Sequence, residues 1–443
     1  MTVNQKILIV ADPLQGIITP SYRLATRLIK MGVDVTFATS FTGVKHIMDK
    51  QTTHTSLTFA PFSDGHDTNG SNSKQPTPSL QQLKFDFATN GSCAVADIIS
   101  SAAAKGQPFD NVVYSILVPW AATVAMAHGV KTTLFWCQSA VMCDIYYYLF
   151  NGYKDLISDT KDNSTIPISL PGLPPLINAD LPSVFWPSSP KEHGFFLEIV
   201  KDHIDVLRIA PRVLVNTFEK LETEYIKLIE KLDFIPIGPL IPSEEKESGT
   251  PDNCIEWLNT KQESSAVYVS FGTQANLSMD QIDEIASGLI EIRRPFLWVI
   301  RDSDQAARLS KIDELQKQGM IVDWCSQAMV LRHQAIGCFV MHGGWNSTTE
   351  SLVAGVPTVV FPQWSDQGTN GKMIQDVWKT GVRVTRREGD GIVEGKEIKR
   401  CVEMVIEDDE MTRNAEKWRD LAREALSDGG SSNVNLQAFL DDA

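Results

Sequence analysis

Residues Gly337 to Pro362 read GCFVMHGGWNSTTESLVAGVPTVVFP. An apolar strand, Gly337 to Met341, runs into His342 and the pair Gly343-Gly344; a helix opened by Asn346 and Ser347 follows, and PTVVFP closes the stretch as another strand. Strand, helix, strand in this order is a βαβ unit, which commits its surroundings to a parallel sheet covered by helices. The glycines let a backbone approach an anion closely, and the exposed N–H groups and positive end of the helix favour negative charge there. His342, Asn346 and Ser347 add side-chain donors, so the stretch can cradle a diphosphate. A lone Gly-Gly before a helix is explained as well by a tight turn.

The same alternation extends in both directions. AVYVSFGT (Ala266 to Thr273), PFLWVIR and GMIVDW precede this unit, each followed by polar or helical sequence. In the first half ILIVA, VDVTFA, NVVYSILV and TTLFW alternate with helical patterns such as TPSYRLATRLIKMG, which ends at Gly32. Between the two series PIGPLIPSEEKESGTPDN holds four prolines and a charge cluster and reads as a linker over 236–253. The chain is therefore expected to form a first domain over 1–235 and a second over 254–425, with a terminal segment over 426–443. At 443 residues two domains suit it better than one core. Two doubly wound α/β domains imply a cleft at the carboxyl ends of their strands, the default ligand site. DTNGSNSKQPTPS (Asp67 to Ser79) reads as an exposed, mobile loop, and the Pro-rich stretch 151–195 as loops that shape a pocket.

Composition removes several function classes. A formal net charge of −15 argues against a broad nucleic-acid or anionic-membrane surface. The cysteines Cys93, Cys137, Cys143, Cys254, Cys325, Cys338 and Cys401 form no CxxC pair and have no His at metal-ligand spacing, so they read as free thiols in a reducing compartment. The start MTVNQK is polar and Asp12 ends the apolar run Ile7 to Ala11, which reads as a first strand and not a signal peptide. No apolar stretch approaches the 18 or so residues that a membrane span needs. The expectation is a cytoplasmic protein.

The full run Trp324 to Gln367, WCSQAMVLRHQAIGCFVMHGGWNSTTESLVAGVPTVVFPQWSDQ, resembles the 44-residue signature box of plant family 1 UDP-glycosyltransferases: it opens with Trp, carries HxGWNS and closes with Asp-Gln. VYVSFGT, GPLIP, and Gln15-Gly16 followed by Pro20 match further landmarks of that family. The resemblance implies a GT-B fold of two facing Rossmann-like domains, with the acceptor in the N-terminal half, the sugar nucleotide in the C-terminal half, and a last helix that crosses back to the N-terminal domain. It implies an inverting, metal-independent hexosyltransferase and, from family habit, a monomer. Trp324 would stack on uracil and the backbone of Cys325 would bond its edge. Glu350, helped by Gln327, would hold the ribose hydroxyls, since a carboxylate accepts two hydroxyl protons at once. Thr273, His342, Asn346 and Ser347 would bind the diphosphate, and Trp345, Asp366 and Gln367 the sugar. A final Gln favours UDP-glucose. Met341 and Gly343 replace the Thr and Cys of the usual THCGWNS, and Ser326 replaces a Pro; Gly343 is expected only to loosen its turn. The DSD of Asp302 to Asp304 lies just after a strand with no second ligand in sight and reads as a solvated loop and not as a metal site; the resemblance implies that the helix terminus and side-chain donors stabilise the leaving diphosphate, so that no metal is required.

At one place the chain departs from the family in chemistry. The turn after the first strand should read QGHxxP, its His removing the acceptor's proton under the orientation of an Asp on a later strand. Here QGIITP puts Ile17 at the His position, and VVYSILVPW puts Ser115 where the Asp is expected. An Ile cannot move a proton. The acceptor then either needs no base, as a carboxylic acid with a pKa near 4 does not at neutral pH, or another group has taken the role, with Asp12 as the candidate. The remaining alternative is a UDP-sugar-binding pseudoenzyme with a regulatory or carrier role. Trp136, Tyr146, Tyr147, Phe185 and Trp186 could line an acceptor pocket; the acceptor's identity is not legible.

Overall fold

Strands buried on both faces must be apolar along their whole length, which is why the sheet-forming runs of this chain are continuous and not alternating. Ile7 to Val10 and Val267 to Val269 illustrate it, each exposed by 1% or less. The structure is a computed structural model that describes residues 5–50, 56–66, 78–158, 166–186, 194–241, 252–273, 275 and 277–442. Residues 67–77 of the loop expected over 67–79 and most of the linker fall outside these residues. The chain divides into two compact units: Met1–Asn178, Val184–Leu240 and Ala425–Ala443 form the first, and Ala179–Ser183 with Ile241–Glu424 form the second.

The first unit holds a parallel sheet of β1 (Lys6–Val10), β2 (Asp34–Ser40), β3 (Thr58–Phe62), β4 (Asn111–Ser115), β5 (Lys131–Trp136), β6 (Arg212–Val215) and β7 (Asp233–Pro236), in the order β3-β2-β1-β4-β5-β6-β7. Val10 pairs with Ala38 on one side and Tyr114 on the other. The order reverses between β1 and β4. The second unit holds β8 (Ala266–Ser270), β9 (Phe296–Val299), β10 (Met320–Val322), β11 (Ile336–Met341), β12 (Thr358–Val360) and β13 (Gly381–Arg383), in the order β10-β9-β8-β11-β12-β13, again all parallel. Here the order reverses between β8 and β11. Both sheets are doubly wound, and the carboxyl ends of strands at such a reversal are where open α/β sheets take their ligands.

Local chemistry sets the helices around them. Ser79 accepts the N–H of Gln82 and so starts the helix Leu80–Ala104, and Ser278 does the same through Gln281 for Met279–Ile292. Met279–Ile292 and Gly395–Glu407 carry Ile285, Leu289, Ile398 and Val402 into a core shared with Val267, Trp298 and Phe361. The helix Ser431–Asp441 lies on the edge strand β7, where Asn435 Nδ2 donates to Pro236 O at 2.9 Å. Among the described residues no helix is long and apolar enough to cross a membrane.

Two boundaries differ from the sequence reading. The linker expected from 236 starts later: Ile237 N–H bonds Val215 O, Gly238 N–H bonds Thr217 O, and Asn216 Oδ1 takes Leu240 N–H, so the apolar half of PIGPL is buried in the first unit. The first helix starts earlier, at Gln15, and runs through Pro20 to Lys30. Pro20 lies so near the helix start that only one intrahelical bond is forfeited. Ile17 is therefore in the first helical turn and not in a turn before it.

Candidate functional site

In the second unit the segment after β8 and the segment after β11 flank the reversal of strand order. Gly272 follows β8 at φ +76°, and a Cβ there would meet His342 Cε1 at 2.9 Å; a Cβ at Gly344 would meet His342 Nε2 at 2.5 Å. The imidazole thus fits between two α-carbons that cannot carry side chains. Burial pulls its pKa down to about 4, so the ring is neutral at pH 7. Its Nδ1 is buried and has no hydrogen-bond partner among the described residues. Gly344 begins the helix Trp345–Ala354 with no side-chain cap and no acidic residue in its first turn, leaving the positive helix end uncompensated by a carboxylate of its own. Gly343 does more than loosen the turn: its φ is +86°, which favours glycine, and a Cβ would stand 2.7 Å from Val360 Cγ1. Thr273 is exposed at the end of the β8 segment.

Beside this cradle, Gln327 Nε2 donates to both Ser347 Oγ and Glu350 Oε2 at 2.9 Å. One amide therefore fixes a hydroxyl in the first turn of the cradle helix and a carboxylate on its next turn. Trp324 is half-buried just past β10, while Cys325 is buried with its thiol 3.6 Å from Tyr268 Oη. Burial pushes that thiol up to about 12, so it stays protonated.

The loop after β12 completes the site. Asp366, 5% exposed, accepts from Asn370 Nδ2 at 2.8 Å and from the N–H of Trp345; burial pushes its carboxyl up to about 6 against the pull of these bonds. Asn370 Nδ2 also donates to Gly343 O at 2.8 Å and so joins this loop to the cradle turn. Gln367 Oε1 takes the N–H groups of Gln363 and Trp364 at 2.7 and 3.0 Å, which directs its Nε2 away from them. Trp345 packs its ring into the core, 6.0 Å from that of Trp378. Asn346 is half-buried in the first helical turn.

In the first unit Ile17 is 6% exposed, and Ser115 ends β4. Ser115 Oγ accepts the N–H of Asp12 at 3.1 Å. Asp12, the candidate substitute base, is fully buried, and both its oxygens are in use: Oδ1 takes Leu14 N–H at 3.0 Å and Oδ2 takes Lys84 Nζ at 2.5 Å. Past Ser115 the chain turns through Leu117 at φ +71°, whose N–H donates to His203 Nε2 at 3.0 Å. Burial pulls His203 down to about 3, which keeps that nitrogen an acceptor.

The family described as UDP-glucoronosyl and UDP-glucosyl transferase matches residues 221–424. UDP-glycosyltransferase 75C1 of Solanum lycopersicum is 47% identical, the match covering 99% of this chain and 98% of that protein. The chain belongs to the plant family 1 UDP-glycosyltransferases. The crocetin glucosyltransferase, chloroplastic, of Gardenia jasminoides is 44% identical over 100% of this chain and 98% of its own length. The crystal structure of Os79 from O. sativa in complex with UDP matches with a TM-score of 0.85 at 28% identity, covering 98% of this chain and 99% of that one. The fold is accordingly of the GT-B type, with two Rossmann-like domains.

Several residues that build this glycosyltransferase's second unit carried no signal in the sequence. Residues 179–183, from the Pro-rich stretch, brace the Asp366 loop: Ser183 Oγ accepts Ser365 N–H at 2.7 Å, and Asp180 O accepts Thr369 Oγ1 at 2.6 Å. Asp180, 1% exposed, pairs with Arg383 at 2.5 Å. Asn370 was legible only as the residue four past Asp366. The DSD motif is a helix cap and not merely a solvated loop, since Asp302 Oδ1 accepts the N–H groups of Asp304 and Gln305. Of the aromatic candidates Trp136 and Phe185 are sealed in the core at 3% and 2% exposure, whereas Tyr146, Tyr147 and Trp186 are half-exposed. All seven cysteines are free.

Proposed function

We propose that this glycosyltransferase moves glucose from UDP-glucose, with inversion and without a metal, to a small aromatic or carboxylic acid acceptor. The observation that supports the reading is the amide of Gln327, which holds Ser347 Oγ and Glu350 Oε2 together on the helix that follows His342: a hydroxyl near an anion-binding helix end and a carboxylate suited to a diol. Trp324, Cys325, Gln327 and Glu350 hold the nucleoside. Thr273, His342, Asn346 and Ser347 hold the diphosphate, where a neutral imidazole still donates one N–H. Asp366, Gln367 and the main chain of Trp345 take the sugar. The sugar named for the Gardenia relative supports glucose. Cytoplasmic residence is part of the proposal and is supported by the free thiols.

The acceptor class follows from Ile17. With no base there, the favoured nucleophile is one already ionised. A carboxylate oxygen donates an electron pair to the anomeric carbon as the bond from that carbon to the diphosphate oxygen breaks and its pair leaves on UDP; no proton moves. A second reading, a UDP-sugar binder without turnover, is favoured by Ile17 alone. Incubation with UDP-glucose and a panel of aromatic acids and phenols separates the two: glucose esters are expected, and an empty product profile sinks the transferase reading. Ile17→His with Ser115→Asp is expected to raise turnover of neutral phenols towards the roughly 10²- to 10⁴-fold worth of general base catalysis and to leave acids nearly unchanged. Equal gains for both classes would contradict the base argument.

A further inference from the structure

Where the strand order of the first sheet reverses, Asp12 meets side chains from two other elements, Lys84 at its carboxylate and Ser115 at its main-chain N–H. Asp12 follows β1, Ser115 ends β4, and Lys84 comes from the second turn of the helix Leu80–Ala104. The Lys84 side chain is 10% exposed and its Nζ stands 2.5 Å from Asp12 Oδ2. An ammonium carries three donors, and among the described residues Asp12 is its one partner. A cation with donors to spare, withdrawn from bulk water at the carboxyl ends of the two central strands, is placed as a ligand group would be. It lies beside the segment in which Ile17 stands at the position of the family's base.

We propose that Lys84 is the acceptor-binding residue that recognises a carboxylate, with Asp12 as the residue that positions it. The proposal rests on the transferase reading and deepens it. Asp12 alone would repel an anionic acceptor; Lys84 cancels that charge and offers its remaining donors to one carboxylate oxygen. The other oxygen is left to attack the anomeric carbon. Ser115 fixes Asp12 through its main chain, so the residue that stands where an Asp is expected supports a cation here and not an imidazole. Ionic anchoring of an acid replaces proton removal from an alcohol.

The test uses the full chain saturated with UDP and two pairs of probes of matched shape, cinnamate with cinnamyl alcohol and benzoate with benzyl alcohol. Dissociation constants are read by calorimetry or ligand-observed NMR. The wild type is expected to bind each acid at least tenfold more tightly than its alcohol. Lys84→Gln with Asp12→Asn, which removes both charges and keeps hydrogen-bonding groups, should bring acid and alcohol to within twofold while the UDP-induced rise in melting temperature is unchanged. Lys84→Arg should keep the preference. A wild type that does not discriminate, or a folded charge-free variant that still prefers acids, overturns the assignment. Turnover is scored separately: Lys84-dependent binding of acids without glucose ester formation would overturn the transferase reading and uphold this one.

Discussion

Asp366 shows how one buried carboxyl sets a pH limit. Its folded pKa of about 6 lies above the ordinary carboxylate value of about 3.9. The sign follows: this group's contribution to stability is complete below the unfolded value and is lost as pH rises through about 6, so acidification to pH 5 does not weaken the fold through Asp366. It does remove an anionic acceptor from the proposed sugar site. The KM for UDP-glucose is expected to rise several-fold between pH 7 and pH 5, and Asp366→Asn should flatten that slope; a slope that persists in the variant assigns the titration elsewhere. The neighbouring Gln367 is anchored through its Oε1 by two main-chain N–H groups, so its donor end is fixed. Gln367→His should shift the kcat/KM ratio of UDP-glucose to UDP-galactose towards galactose by about 1 kcal/mol, the worth of one rearranged hydrogen bond. An unchanged ratio would place sugar discrimination at another residue.

At the scale of elements, the cradle is a steric arrangement before it is an electrostatic one. The helix Trp345–Ala354 and the β8 turn approach His342 through glycine α-carbons, and a single methyl at Gly344 would stand 2.5 Å from Nε2. Gly344→Ala is therefore expected to displace the ring and weaken UDP binding about as much as His342→Ala, roughly 1 to 3 kcal/mol for one lost donor to a charged partner. Titration calorimetry with UDP checks this, and an unaltered affinity in Gly344→Ala would mean that the ring is not held by its glycine walls. The helices and strands that make the cradle were legible from Gly337 to Pro362 because apolar runs and glycine turns are local signals. The braces at Asp180 and Ser183 were not, since they reach the Asp366 loop from about 180 residues away in sequence and depend on the path of the chain. The turn expected after the first strand was a misreading in the opposite direction, since the helix already runs from Gln15. Lys84 offered no signal at all, because a lysine near a helix start is ordinary until its partner is known.

At the scale of the whole molecule, the donor reading predicts a global effect: saturating UDP at about 100 times its dissociation constant should stabilise the fold by roughly 2.7 kcal/mol, seen as a raised melting temperature, and no shift at millimolar UDP would remove the donor site. The contact between the helix Ser431–Asp441 and β7 has a consequence in time. β7 is an edge strand of the first sheet, and its cover is synthesised roughly 190 residues later, about 10 to 40 s at the usual 5–20 residues per second. Through that interval the nascent sheet presents a bare edge on the ribosome, the kind of surface that chaperones hold and that other strands can join. The first part of the chain to emerge is thus among the last to be finished.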